Sequence, residues 1–186
     1  LYSTFLQRAY DQILHDVCIG GLPVVFAVDR AGLVGSDGET HQGIFDIAFL
    51  LQMPGMTLMA PKNVWEMEQM LVYAFRQDGP VAIRYPRGAA YEGLEGYRQP
   101  LEQGKSEWIA RGSKIALLAA GSMVENAVKV RELLAEQGHE VSVINARFLK
   151  PFDEELLEEL AEAHELIVTM EEGILTGGYG QMVASW

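Results

Sequence analysis

Ionisable side chains are concentrated in one glycine-rich segment, residues 29–43. Arg30, Asp37 and His41 lie there among four glycines. An imidazole exchanges protons near neutral pH, so His41 is the best candidate for acid or base catalysis. The apolar, β-branched run at 24–28 predicts a buried strand just before the segment. Because open α/β sheets bind ligands at the carboxyl ends of their strands, the pattern predicts an active-site loop; a solvated surface turn is the alternative.

Apolar periodicity predicts helices and strands that alternate along the chain. Apolar residues from 6 to 17 have helical spacing and precede the strand at 24–28. The remaining predicted elements are a helix at 46–51, a strand at 57–60, a helix from Asn63 with Glu66 in capping-box position, a strand at 81–85, a strand at 115–120, a helix at 124–134, a strand at 141–144, a helix at 154–163 and a strand at 166–170. This order predicts the α/β class, with two units in which mostly parallel sheets are flanked by helices.

The connection between the two units is predicted where the apolar pattern stops. Residues 88–111 mix Gly, Glu, Gln and Pro without a sustained apolar period, which is typical of a linker. We place the linker at 96–111, between a first domain at 1–95 and a second at 112–186. The chain begins inside a motif and stops at Trp186 within a predicted helix, so both domains are expected to be incomplete.

Composition excludes several classes of protein. The net charge is −12, with 7 Lys and Arg against 12 Asp and Glu through Gly104 and 7 against 14 afterwards, so no half has the basic excess of a nucleic-acid binder. No apolar run approaches the roughly 20 residues that span a bilayer, and no export signal is present, so we expect no membrane partner and a cytoplasmic location. Cys18 is the only cysteine and is predicted to be a buried thiol. No His, Cys or Asp spacing predicts a metal site.

Three segments match one enzyme family in the right order: residues 2–11, 29–43 and 84–88. Together they resemble the pyrimidine-binding domain of the 1-deoxy-D-xylulose-5-phosphate synthase family, thiamine-diphosphate enzymes related to transketolase. The remainder, including residues 145–153 and 168–172, resembles the start of the C-terminal domain of that family. The resemblance therefore implies a thiamine-diphosphate-binding fold for the first domain and a truncated, transketolase C-terminal-like fold for the second.

The resemblance implies catalytic roles for His41, Asp37, Arg30 and Tyr2, which match active-site positions of the family. Tyr2 is expected to hydrogen-bond near the pyrimidine or the substrate. Asp37 is expected to orient His41 or a substrate hydroxyl. The alternative for Tyr2, Arg30 and Asp37 is that they only stabilise the loop, and the alternative for His41 is a polar surface side chain.

The resemblance also implies three binding residues. Phe5 matches the aromatic residue that stacks on the aminopyrimidine ring of the cofactor, with core packing as the alternative. Arg8 and Arg87 match the two arginines that bind the phosphate of glyceraldehyde 3-phosphate, a task suited to the planar guanidinium. Ordinary surface ion pairs are the alternative for both arginines. Arg84 matches no such position.

The family implies a transferase that condenses pyruvate with D-glyceraldehyde 3-phosphate, with loss of CO2, at the start of non-mevalonate isoprenoid synthesis and in the supply of thiamine and pyridoxal. It also implies thiamine diphosphate, Mg²⁺ and a homodimer. In the family the diphosphate, the metal and the activating glutamate are held upstream of residue 2, in an N-terminal domain, so this segment alone is expected to be inactive. Two alternatives remain: a small, β-type subunit of a two-chain 2-oxo-acid dehydrogenase or split transketolase, and a non-catalytic module on the same fold.

Overall fold

The computed structural model describes residues 1–186, which form two four-stranded sheets. The strands are β1 (Val25–Val28), β2 (Thr57–Met59), β3 (Val81–Arg84), β4 (Glu107–Ala110), β5 (Lys114–Ala119), β6 (Val141–Asn145), β7 (Phe148–Lys150) and β8 (His164–Met170). The helices are α1 (Ser3–Leu6), α2 (Tyr10–Gln12), α3 (Asp46–Leu50), α4 (Val64–Ala74), α5 (Met123–Glu136), α6 (Glu154–Ala163) and α7 (Tyr179–Ser185). None of them is both long and apolar enough to cross a membrane.

The first sheet has the strand order β1-β3-β2-β7. Strands β1 and β2 both run parallel to β3, and the residues of β2 and β3 are all buried, as continuous runs in a parallel sheet usually are. Strand β7 pairs antiparallel with β2, although it lies between β6 and α6 in the chain. The sequence pattern did not predict β7, and its position means that the second half of the chain completes the first sheet.

The second sheet has the strand order β4-β6-β5-β8, with β5 parallel to both β6 and β8. The predicted strands at 115–120, 141–144 and 166–170 are confirmed within one or two residues. Strand β4 pairs antiparallel with β6. The predicted linker at 96–111 is therefore too long at its C-terminal end, because residues 107–110 belong to this sheet. Buried and half-buried residues alternate in β4, as they do in a strand with one face on the core. The run was too short to be predicted as a strand from the sequence, because it has only four residues and begins with a glutamate.

The helical structure predicted from residues 6–17 is confirmed and extends over 3–18, but it is not one regular helix. A 3-10 turn (Gln7–Ala9) lies between α1 and α2, and a π-helical stretch (Ile13–Cys18) follows. At α4 the capping box is only half formed: Asn63 caps the helix by accepting from the Glu66 backbone N–H. The Glu66 carboxylate instead accepts from the Lys62 backbone N–H at 2.7 Å.

Glu66 belongs to a buried ionic group that we call the junction cluster: Lys62, Glu66, Glu107, Asn145 and Arg147, each no more than 2% exposed. The Lys62 ammonium lies 3.0 Å from Glu66 and 2.7 Å from Glu107, and Arg147 contacts the same two carboxylates at 2.9 and 2.8 Å. Asn145 donates to Glu66 at 2.9 Å. Two cations and two anions balance where the two sheets meet, so each buried charge has a counter-ion.

Arg84 forms a second buried link between the two halves of the chain. Its guanidinium donates to Asp46 at 2.8 Å and to the carbonyl oxygen of Glu172 at 2.9 Å. Arg84 is 3% exposed and Asp46 is fully buried. The structure therefore gives Arg84, which has no match among the family's site residues, a structural role.

Candidate functional site

The N-terminal residues lie beside the carboxyl end of β1. Tyr2 forms a parallel β-bridge with Asp29, and the Ser3 backbone N–H donates to the Asp29 carbonyl oxygen at 2.7 Å. Helix α1 starts immediately after this pairing. The side chains of Tyr2 and Phe5 are thereby brought next to the loop at 29–43, where parallel sheets place their ligands.

The loop itself has a constrained backbone. Arg30 adopts a left-handed conformation with φ of 57°, which is uncommon for any residue except glycine. Gly32 and Gly43 exchange two backbone hydrogen bonds of 2.7 and 2.8 Å, which close the loop. A Cβ at position 43 would overlap the Arg30 carbonyl oxygen and the Ser3 side chain, so this close approach requires glycine.

Asp37 binds two arginines. Its carboxylate accepts from Arg30 Nε at 3.0 Å and pairs with Arg87 Nε at 3.1 Å, and Arg30 Nη1 also donates to Asp29 at 2.7 Å. The hydrogen bond from Arg30 to Asp37 is the main reason why the pKa of Arg30 is raised above its ordinary value. No hydrogen bond joins Asp37 to His41 in this structure, where the carboxylate is paired with the two arginines. An orienting role of Asp37 towards His41 or towards a substrate hydroxyl stays a prediction.

Aromatic and cationic side chains pack against one another next to the ion pairs of Asp37. Tyr2 and Phe5 are stacked with centroids 5.6 Å apart and an interplanar angle of 8°. The His41 ring packs T-shaped against Phe5 at 5.2 Å. Arg30 lies 4.0 Å over the Tyr2 ring, and Arg8 lies 5.4 Å over the Phe5 ring. All seven sequence-predicted residues are thus joined in one set of contacts, from Arg8 at one end to Arg87 at the other.

An open cleft of about 230 Å³ lies at this set of contacts and is lined by Tyr2, Arg30, Asp37 and His41. Two threonines adjoin it that were not among the predicted site residues. Thr40 Oγ1 lies 3.0 Å from His41 Nδ1, and Thr4 Oγ1 donates to the Thr40 carbonyl oxygen at 2.9 Å. The sequence could have indicated Thr40, because this hydroxyl residue directly precedes His41, the candidate acid-base residue.

The residues present suit only part of a thiamine cofactor. Phe5 is 41% exposed, so part of its surface can contact a flat heterocycle, while Tyr2, His41 and Arg8 already pack against its ring. The structure has no group of three or more His, Cys, Asp or Glu side chains that could hold a metal ion. The arrangement therefore fits the ring of such a cofactor, and it offers no counterpart for a metal-bound diphosphate.

The adjacent residues Glu171 and Glu172 contact different elements of the structure. Glu171 accepts from the backbone N–H groups of Tyr179 and Gly180 at 3.0 and 2.7 Å, at the start of α7. Glu172 accepts from Ser122 Oγ at 2.6 Å, and a Cβ on Gly32 would meet its side chain. The two carboxylates serve different elements, which indicates structural roles for both.

Two family models match the chain: "Transketolase, pyrimidine binding domain" over residues 1–92 and "Transketolase, C-terminal domain" over residues 104–186. It is 59% identical to a 1-deoxy-D-xylulose-5-phosphate synthase of Lachnoclostridium phytofermentans over 99% of this chain, and 50% identical to that of Clostridium tetani over 100%. It spans 29% and 30% of these two relatives, less than a third of their length.

Two solved structures share the fold. One is described as "Split gene transketolase, inactive beta4 tetramer", with a TM-score of 0.90 and 30% identity over 99% of this chain and 60% of that one. The other is a transketolase from Campylobacter jejuni, with a TM-score of 0.74 and 18% identity over 100% of this chain and 34% of that one, a likeness of fold alone. The predicted fold class and the resemblance of both halves are confirmed.

Proposed function

Since the chain belongs to the transketolase family, we propose that it forms the ring-binding and acceptor-binding part of a 1-deoxy-D-xylulose-5-phosphate synthase. That enzyme joins pyruvate to D-glyceraldehyde 3-phosphate and releases CO2. The observation that carries the proposal is the continuous set of contacts from Arg8 to Arg87 around one cleft. Identities of 50% or more to synthases, against 30% to the split transketolase, favour the synthase over the β-type subunit.

In this proposal the aromatic pair binds the cofactor ring. Thiamine diphosphate, when bound, supplies the nucleophilic carbon and the electron sink for decarboxylation. The exposed part of Phe5 contacts the pyrimidine, while Tyr2 holds Phe5 in place by stacking. Arg30, fixed over Tyr2 and paired with Asp29 and Asp37, lines the cleft and offers its remaining N–H groups to a substrate oxygen.

The acceptor phosphate is bound by Arg87 and Arg8. Asp37 occupies only Nε of Arg87, so the two terminal nitrogens remain free to form the fork that a phosphate accepts. Arg8 is exposed and lies over Phe5 without an ion-pair partner in the chain. His41, which packs against Phe5 and lines the cleft, exchanges a proton with the carbonyl oxygen of the acceptor or donates a hydrogen bond to it.

Loss of Arg87 or Arg8 should weaken the binding of glyceraldehyde 3-phosphate much more than the binding of pyruvate, because only glyceraldehyde 3-phosphate carries a phosphate. A charge-assisted contact of about 1.5–3 kcal/mol corresponds to a rise in KM of about 10- to 150-fold for the phosphorylated substrate. Steady-state constants for both substrates in full-length Arg87→Ala and Arg8→Ala enzymes measure this. Arg111→Ala, an exposed arginine paired with Glu159, is the control. Equal losses for both substrates would show that the arginines support folding instead.

We further propose that the complete enzyme uses Mg²⁺, is a cytoplasmic homodimer, and carries the diphosphate and metal site in a separate N-terminal domain. The division into a first domain at 1–95 and a second domain is also a proposal. The second domain was predicted at 112–186 and is extended to start at residue 107, which shortens the connection to 96–106, because β4 belongs to the second sheet. The relative described as an inactive β tetramer supports the expectation that such a chain does not act alone.

The 186-residue chain alone should therefore neither bind thiamine diphosphate tightly nor form product. Stacking on Phe5 contributes only about 0.5–1.5 kcal/mol beyond burial, which cannot replace a metal-held diphosphate. Titration calorimetry with thiamine diphosphate and Mg²⁺, repeated after adding a separately made N-terminal domain of a related synthase, tests the proposal. Binding and turnover that appear only in the mixture would support it, whereas micromolar binding by the chain alone would contradict it.

A further inference from the structure

We propose that Thr40 is a positioning residue that fixes the tautomer of His41, so that the neutral imidazole carries its proton on Nε2 and offers it to the cleft. The tautomer follows from contacts in this chain. Its catalytic consequence rests on the function proposed above. Thr40 itself touches no substrate in this proposal and acts only through the imidazole.

The first step concerns the ring nitrogen that Thr40 contacts. A neutral imidazole has one N–H and one acceptor nitrogen, and the partner of one nitrogen decides where the proton lies. Thr40 Oγ1 lies 3.0 Å from His41 Nδ1, and Nδ1 is the only acceptor in the chain within hydrogen-bond distance of that hydroxyl. If the hydroxyl donates to Nδ1, this nitrogen is unprotonated and the ring proton is on Nε2.

The second step concerns how the hydroxyl is held. Thr4 Oγ1 donates to the Thr40 carbonyl oxygen at 2.9 Å, and the His41 backbone N–H donates to the Gly38 carbonyl oxygen at 3.1 Å. Thr4 belongs to α1, the same helix that carries Phe5. The Thr40 backbone is therefore fixed to the element that presents the aromatic surface, and the imidazole is fixed relative to Phe5.

The third step concerns the free nitrogen. Nε2 of His41 has no hydrogen-bond partner in the chain, and the ring lines the cleft with Arg30 and Asp37. An Nε2–H group in this position donates a hydrogen bond to an oxygen of a bound acceptor. The neutral histidine then stabilises negative charge that develops on a carbonyl oxygen, without first taking up a proton.

The tautomer is measured on the 186-residue chain by the ¹⁵N chemical shifts of the imidazole at about pH 9, where an ordinary histidine is neutral. His41→Gln identifies the signals by their loss. We expect an unprotonated Nδ1 and a protonated Nε2 in the wild-type chain and in Thr40→Ser, and a shift towards a mixture of tautomers in Thr40→Val. Thr4→Val, which removes the anchor of the same backbone but leaves the Thr40 hydroxyl, should retain the wild-type tautomer. A protonated Nδ1 in the wild-type chain, or no change in Thr40→Val, overturns the proposal.

Kinetics of the full-length enzyme separate this proposal from the function on which it rests. Loss of one hydrogen bond predicts a fall in kcat of about tenfold for Thr40→Val, with rescue by Thr40→Ser and little change in the KM for either substrate. If the spectra show the expected tautomer but Thr40→Val and His41→Gln retain the wild-type kcat, the positioning of the ring stands and the proposed role of His41 in catalysis fails.

Discussion

Replacement of His41 by alanine should lower kcat of a full-length synthase by about 10²- to 10⁴-fold, the range that a positioned acid or base contributes. The imidazole packs against Phe5 and lines the cleft with Arg30, with Nδ1 bound to Thr40 and Nε2 unpaired. Its side chain is only half-buried and makes no ion pair, so the variant should fold with nearly unchanged stability.

The control for this prediction is His15→Ala. His15 is 58% exposed and paired with Asp11 on the helical surface, away from the cleft. Turnover across pH 6 to 9 and thermal unfolding are measured for both variants. The role assigned to His41 would be wrong if the His41→Ala enzyme kept the wild-type rate throughout this range, or if both variants lost activity alike.

Replacement of Lys62 by methionine should lower the free energy of unfolding of the chain by about 3–5 kcal/mol, because two buried carboxylates then share Arg147 as their only counter-ion and one buried negative charge is left uncompensated. Lys62 pairs with both Glu66 and Glu107, and all three side chains are fully buried. Urea denaturation measures the loss. Lys114→Met removes an ion pair of the same kind with Glu165, but that pair is 72% and 75% exposed, so the change should stay within about 1 kcal/mol. Equal effects for the two variants would refute the prediction.

The junction cluster also predicts that acid lowers the stability of the fold. Burial by itself raises the pKa of Glu107, but the hydrogen bond from Lys62 and the charges of Arg147 and Lys62 bring it below the ordinary value. A carboxyl group with a lower pKa in the folded than in the unfolded state stabilises the fold above the unfolded pKa. This stabilisation should decrease as the pH falls through the ordinary glutamate range, and Glu107→Gln should make urea stability less dependent on pH there.

The elements that were predicted from the sequence are those with a local signal. Val25–Val28 and Val81–Arg84 are short apolar runs bounded by turns, and Glu154–Ala163 has a strong helical period. Strands β4 and β7 escaped prediction for a physical reason. Glu107 is acceptable in β4 only because Lys62 and Arg147 neutralise it from distant parts of the chain, and Phe148–Lys150 is a strand only because β2 is beside it.

The candidate site was predicted from matched motifs, and the structure adds how its members contact one another. Residue types could not reveal that Asp37 binds Arg30 and Arg87 rather than His41, since all three partners are suitable for a carboxylate. The left-handed backbone at Arg30 and the closure by Gly32 and Gly43 decide which side chains meet. Such geometry depends on pairs of residues that are distant in sequence, and a single sequence does not record them.

Strand β7 lies in the second half of the chain, but it completes the first sheet by pairing with β2. A chain cut after residue 106 would keep β1, β2 and β3 but lose the strand that covers the outer side of β2. Unpaired backbone N–H and C=O groups would then be open to pairing with another molecule, which is how sheets begin to aggregate. The two matched regions therefore share the first sheet, and during synthesis this sheet stays unfinished until Lys150 has been added.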